Sequence, residues 1–571
     1  MATPPAGSES IRKFIILVVH GIGEQLRFEQ LEGLATELYK TLRKERPEQP
    51  SREPFIQVHA VDHAPRRATE QGWRDAPVAV RWRAPDGHAV EAHFREVYWA
   101  DLDTHLNFVG LLRFVGWALA VSGVRFFKRA AVGSPASHGM CAPRELGILR
   151  QAWLRFTLFL VSLLFIVLLG TIGLFDIALK RLSIRIKTIE RGYRVIFDYL
   201  GDVKLYQDWF ERDDARADTI GEKSRVAIRR RMVRAITQTA AEAEAGDIAG
   251  YYVFAHSLGT VVAFNALMET ELALAAYLTE REWQALPARF KTSVTAALPV
   301  RSMPRRPPWL DDAASRASPQ TALPRAAISR GALFNKCLGF LTIGSPLDKF
   351  AAIWPAIVPV NGQGLPRPIP WINVADVQDI VAGDELELFQ PCAGQQTLGG
   401  LKWEANFEWA DQRWFHRAHT SYWCSHPTQD RLIDALVPWL EGGGFARPDD
   451  RIHRWTALSR FYLSLFGTVV LLSWFFAWLV GGAERLLLKM LCSGFDKYPS
   501  VISALGQIEQ WLRYHQLLGP YRETIIPLMT WLLVAAATLV LVSAILRRIW
   551  EVHRFGRTAG GRKIGSGGRI W

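Results

Sequence analysis

A β-rich run, Tyr251-Tyr-Val-Phe-Ala-His-Ser-Leu-Gly-Thr260, ends in a tight turn and passes into a helix-like stretch from Val261 to Leu267. A strand-to-helix bend this sharp lifts its central side chain off the backbone and strains φ and ψ there. It leaves room only for small residues two positions to either side. Ala255 and Gly259 hold those positions, so Ser257 is the side chain that the bend presents. Alanine departs from the usual G-x-S-x-G pattern by one methyl group in a crowded corner.

Other segments repeat the strand-then-helix pattern. Arg12 to Val19 is short, apolar and β-branched; it closes on His20-Gly-Ile-Gly23 and is followed by the helical spacing of Leu31, Leu34, Leu38 and Leu42. Val78 to Trp82 and Val90 to Trp99 flank the turn residues Pro85-Asp-Gly87 and read as paired strands. Further strand-like runs lie at Leu338 to Ile343, ended by Gly344-Ser-Pro346, and at Trp371 to Val374. Short, nearly all-apolar strands alternating with helical patterns predict an α/β fold: a mostly parallel sheet with helices on both faces.

A serine hydroxyl is a weak nucleophile until a positioned base takes its proton, so the bend needs a histidine, an acid and a site for developing negative charge. The loop after Trp371 to Val374, where a carboxylate would sit at the carboxyl end of the sheet, offers Asp379 first and Asp376 second; Asp348, after the earlier Gly344-Ser-Pro346 strand end, comes third. His416, His419 and His426 crowd one aromatic stretch, and His419, followed by Thr-Ser-Tyr-Trp423, is the expected base. The glycines of His20-Gly-Ile-Gly23 let the backbone fold so that an N–H near Gly21 or Ile22 faces the oxyanion together with that of Leu258.

The chain has 571 residues and nearly half of them are hydrophobic, more than one soluble core uses. Phe156 to Phe175, Phe461 to Gly482 and Thr524 to Leu546 are free of charge over lengths close to the ~20 residues that a bilayer requires. Leu106 to Val124 is a fourth candidate, interrupted by Arg113. The strand before His20 and the strand before Ser257 must share a sheet, which requires an even number of crossings between Thr104 and Lys180. The net charge of +13 gathers beside the apolar runs, as in Lys180, Arg181, Arg185 and Lys187, and in Arg547, Arg548, Arg554, Arg557, Arg562 and Lys563. That placement predicts membrane topology and anionic-lipid contact rather than nucleic-acid binding, with the catalytic part on the cytoplasmic side of a plasma (inner) membrane. Met1 to Glu9 lack the apolar core of a signal peptide, and Cys141, Cys337, Cys392, Cys424 and Cys492 lack disulfide or zinc spacing; a serine activated by a histidine and an acid requires neither metal nor organic cofactor.

With these residues in place the chain resembles the α/β-hydrolase superfamily, and within it lipase-like members with an H-G-x-G loop and an (A/G)-H-S-L-G elbow. The resemblance covers about Arg12 to Trp99 and Val195 to Leu440. It implies an α/β-hydrolase-type sheet, here with about four transmembrane helices in two hairpins added. It also implies Ser257 as nucleophile, Asp379 or Asp376 as acid, His419 as base, and Gly21, Ile22 and Leu258 around the oxyanion. The expected activity is hydrolysis of a carboxylic ester, with a lipid or other small acyl ester as substrate and no cofactor. A thioesterase or amidase acting on a lipid-linked substrate, or a catalytically silent scaffold of the same fold, are the alternatives. The expected division is 11–104 and 181–455 for the hydrolase domain, with a mobile insertion at 299–324. Membrane hairpins are expected at 105–180 and 456–548, and a basic tail at 549–571.

Overall fold

The computed structural model describes residues 11–21, 27–44, 54–58, 78–100, 206, 224–246, 248–298, 306–353, 358, 365, 367–376, 379, 381–382, 386, 389, 397, 400–409, 418–419, 422–423 and 432–445. All belong to the first of two units, Met1–Arg454.

Strand β1 (Ile11–Val19) is apolar on both sides because both sides are covered. Phe14, Ile16 and Val18 face one core together with Leu31, Leu34, Leu38 and Leu42 of helix α1 (Glu29–Arg43). Ile15, Leu17 and Val19 face the opposite core, shared with helix α2 (Ser224–Ala245) and helix α3 (Leu258–Leu267). Helix α1 carries Glu29 and Glu32 in its first turn and Lys40 and Arg43 in its last, the arrangement that its dipole favours.

The remaining strands are β2 (Phe55–Val58), β3 (Val78–Arg83), β4 (Ala89–Val97), β5 (Ile248–His256), the insert strands β6 (Lys291–Ala296) and β7 (Leu323–Ile328), β8 (Cys337–Ile343), β9 (Ile369–Asp376) and β10 (Leu401–Trp409). Seven of them join β1 in one eight-stranded sheet in the order β10-β9-β8-β5-β1-β4-β3-β2, and β6 and β7 form a separate two-stranded sheet. The pairs β1 with β4, β1 with β5, β5 with β8, β8 with β9 and β9 with β10 are parallel. Strand β3 runs against both β2 and β4. The expected pairing of Val78–Trp82 with Val90–Trp99 is observed, with Val78 opposite Phe94 and Gly87 at φ 89 in the turn.

This order sets the site. After β1 the chain enters α1 on one face, and after the adjacent β5 it enters α3 on the other. Two neighbouring parallel strands whose helices depart to opposite faces leave a crevice at their carboxyl ends, where ligands bind in such sheets. Ser257 stands at that end of β5. The helix Leu432–Leu440 completes the α1 face through Leu432, Ile433 and Leu436.

One expectation is corrected. Among the described residues no helix is long and apolar enough to cross a membrane, against the expected four transmembrane helices in two hairpins. Helix α2 has the length, 22 residues, but carries Arg225, Arg229, Arg230, Arg231 and Arg234, each far too costly within a bilayer. Helix α3 is buried on every side, but its 10 residues span only ~15 Å against the ~30 Å required. The four apolar runs at 106–124, 156–175, 461–482 and 524–546 lie outside the described residues. In the stretch expected as a mobile insertion, residues 306–324 hold a buried Arg306–Asp311 ion pair at 2.6 Å and a short helix, Ala313–Ala317.

Candidate active site

Ser257 has φ 54 and ψ −131, and among the described residues only Phe28 shares a positive φ without being glycine. A serine before a helix ordinarily turns its oxygen back to cap the first-turn N–H groups. At Ser257 the strained backbone points the hydroxyl away, and the side chain makes no cap bond to α3. The bend is held from behind: Ser257 N–H donates to the Ile343 carbonyl at 3.0 Å, and the Thr260 hydroxyl donates to the Ser257 carbonyl at 2.6 Å. Ser345 meets that same threonine hydroxyl at 2.8 Å.

The small flanks have separate causes. A Cβ on Gly259 would lie 2.4 Å from the His20 carbonyl oxygen and 2.6 Å from that of Val19, so the end of β1 passes directly over the start of α3. Ala255 tolerates its methyl because that group is buried in the core beneath the bend.

The Ser257 hydroxyl is fully buried and lies 2.7 Å from Nε2 of His419. On the other side of the ring, Nδ1 is 2.8 Å from Oδ2 of Asp379. A carboxylate only accepts, so the Nδ1 proton faces Asp379 and the Nε2 lone pair faces the hydroxyl. Asp379 also accepts from the Tyr422 hydroxyl at 2.7 Å and, through Oδ1, from the Val381 and Ala382 N–H groups at 2.8 and 3.2 Å. Burial pushes its pKa up, but the hydrogen bond and charge of His419, with the bonds from Tyr422 and Val381, outweigh burial and hold the carboxyl at about 2. Asp379 therefore stays ionised at any pH at which the protein would work.

No family model, curated protein or solved structure matches this chain. The chemistry of the site is read from its geometry.

Of the candidate acids, Asp379 is the one placed on Nδ1 of His419. Asp376 ends β9 and gives its backbone N–H to the Tyr422 hydroxyl at 2.8 Å. Asp348 lies in the first turn of the helix Leu347–Ile353. Gly21 follows β1 and packs against the serine, while Leu258 opens α3, where a first-turn N–H has no acceptor within its own helix. Ile22, His416 and His426 lie outside the described residues. His20 fixes the glycine turn: its Nδ1 meets the Gly21 carbonyl at 2.9 Å and its Nε2 accepts the Trp99 N–H at 3.0 Å.

Two members of the site were not singled out from sequence. Tyr422 ties the acid loop to the histidine loop and belongs to the same Thr-Ser-Tyr-Trp run that drew attention to His419. Gly344, at φ 57, forms the floor beneath the acid and base, and a Cβ there would stand 2.9 Å from Tyr422 Cε2 and 3.0 Å from Asp379 Oδ2. Its signal was the Gly344-Ser-Pro346 strand end, whose neighbours only the fold reveals.

Proposed function

We propose that the protein is a serine hydrolase of the α/β-hydrolase kind that cleaves carboxylic esters. The observation that carries the reading is the unbroken relay from Asp379 through His419 to the strained Ser257, with both bonds of the imidazole at 2.7–2.8 Å. The chain order serine, acid, histidine and the crevice at the carboxyl ends of β1 and β5 support it.

In this reading the Ser257 Oγ attacks the substrate carbonyl carbon as its proton passes to His419 Nε2. Asp379 holds the tautomer and stabilises the imidazolium. The carbonyl oxygen takes the negative charge and is met by the Leu258 N–H at the positive end of α3 and by the glycine turn at Gly21. His419 then gives the proton to the leaving oxygen as the carbon–oxygen bond breaks. Water repeats the sequence on the acyl-serine, releasing a carboxylate and restoring Ser257. The substrate is a lipid or another small acyl ester.

Hydrolysis of a panel of esters, thioesters and amides by wild type and Ser257→Ala tests the reading. Ester turnover that disappears in the variant is expected. Equal rates for the two proteins would remove the proposal, and preference for thioesters or amides would redefine the bond that is cleaved.

A further inference from the structure

His256 precedes the serine at the end of β5 and is only 7% exposed. It lies between two segments that are far apart in sequence. Its Nε2 is 2.7 Å from the carbonyl oxygen of His419, and its Nδ1 is 3.1 Å from the side-chain nitrogen of Gln30. A carbonyl can only accept, so the proton sits on Nε2 and Nδ1 presents a lone pair. Gln30 must then offer its amide N–H, which sets the orientation of that amide. The two imidazoles lie against one another, with centroids 4.9 Å apart.

The position of Gln30 gives this contact its meaning. It is the second residue of α1, immediately after the segment that leaves Gly21. The entry to that helix is itself clamped, because Phe28, at φ 71, gives its N–H to Oε2 of Glu96 at 2.6 Å. One neutral ring therefore spans from the helix that follows the glycine loop to the backbone that carries the candidate base. Burial first, and then charge on His419, hold His256 down at about 3, so the donor–acceptor pattern survives across the neutral range. A proton added to Nδ1 would face the Gln30 donor.

The geometry points to His256 as a positioning residue that sets the distance between the start of α1 and the His419 backbone, with Gln30 as its second anchor. This inference rests on the serine-hydrolase reading. A reacting pair misplaced by ~1 Å loses about 100-fold in rate, so a strut of this kind acts on kcat while leaving the binding of a small ester alone.

The test measures kcat and KM for p-nitrophenyl acetate, with fluorophosphonate labelling rates. It compares wild type, His256→Phe, His256→Gln, Gln30→Leu and the His256→Phe/Gln30→Leu double variant. His256→Phe keeps ring size but loses both bonds, and should lower kcat about 10- to 100-fold with KM within about twofold. His256→Gln, whose amide N–H can reach the His419 carbonyl, should recover most of that loss, which a purely space-filling role would not require. Gln30→Leu should lower kcat about 3- to 10-fold, and the double variant should be no slower than His256→Phe alone, because one path carries both effects.

Wild-type kcat in His256→Phe, or losses that multiply in the double variant, would overturn the inference. Should His256→Phe fail to fold, Gln30→Leu decides, and an unchanged kcat there also overturns it. A wild type that neither hydrolyses nor takes label removes the hydrolase reading and this inference together. A reactive wild type with kinetically silent variants removes the inference alone.

Discussion

A Cβ placed on Gly21 would stand 2.5 Å from the Cβ of Ser257. The turn after β1 and the bend after β5 thus approach as closely as a missing side chain allows. Gly21→Ala must push one of them aside, at a cost of about 1–3 kcal/mol for overpacking. We expect kcat to fall by roughly 100-fold, since the displacement falls on the serine and on the backbone facing its oxyanion. Thermal melts and ester kinetics on the same preparation check both parts.

The two aspartates of the acid loop should separate clearly. Asp379→Asn replaces the acceptor on His419 Nδ1 with a group that can favour the wrong tautomer, and kcat should drop by about 10³- to 10⁴-fold. Asp376→Asn leaves that contact in place and should keep kcat within about threefold. Equal losses would mean that the two carboxylates act as one unit.

Tyr422→Phe removes a donor to Asp379 and leaves the buried Asp376 N–H without the hydroxyl it bonds at 2.8 Å. An unsatisfied buried group costs about 1–3 kcal/mol. Urea unfolding should register a loss of that size, accompanied by a smaller fall in kcat than Asp379→Asn produces.

Glu96 predicts a pH signature in stability. Burial raises its carboxyl from 4.5 to about 7, against the lowering effects of the Phe28 N–H and the Arg27 charge. A carboxyl whose folded pKa lies above its unfolded one stabilises the fold fully below 4.5 and loses that contribution as pH rises through 7. Relative to Glu96→Gln, wild type should therefore weaken across this window, by up to about 1.4 kcal/mol per pH unit. Urea melts of both proteins from about pH 5 to pH 8 measure it. Parallel curves would show that the carboxyl titrates alike in both states.

Much of this arrangement was legible locally. Strands β1, β5, β8 and β9 announce themselves because burial on both faces removes polar residues, and the serine bend because its geometry demands small flanks. Asp379 could not be separated from Asp376 by spacing alone. Both occupy one polar loop, and the choice is made by Gly344 and Tyr422, which arrive from β8 and from the histidine loop. His256 gave no sign of its partners, since Gln30 is 226 positions away and His419 is 163. Strand β10 (Leu401–Trp409), which closes one edge of the sheet, interleaves charged and apolar residues and so lacks the all-apolar run that marks the inner strands. The membrane expectation came from four apolar runs that lie outside the described residues, and none of the described helices has the required length and apolarity.

The proposed chemistry requires activation of the Ser257 hydroxyl by His419. The measurement is fluorophosphonate labelling followed by peptide mapping, for wild type, Ser257→Ala and His419→Gln. A single adduct on the peptide containing Ser257, absent in Ser257→Ala and slowed about 10³-fold or more in His419→Gln, is the predicted result. Labelling on another residue, or at the same rate without His419, would contradict it.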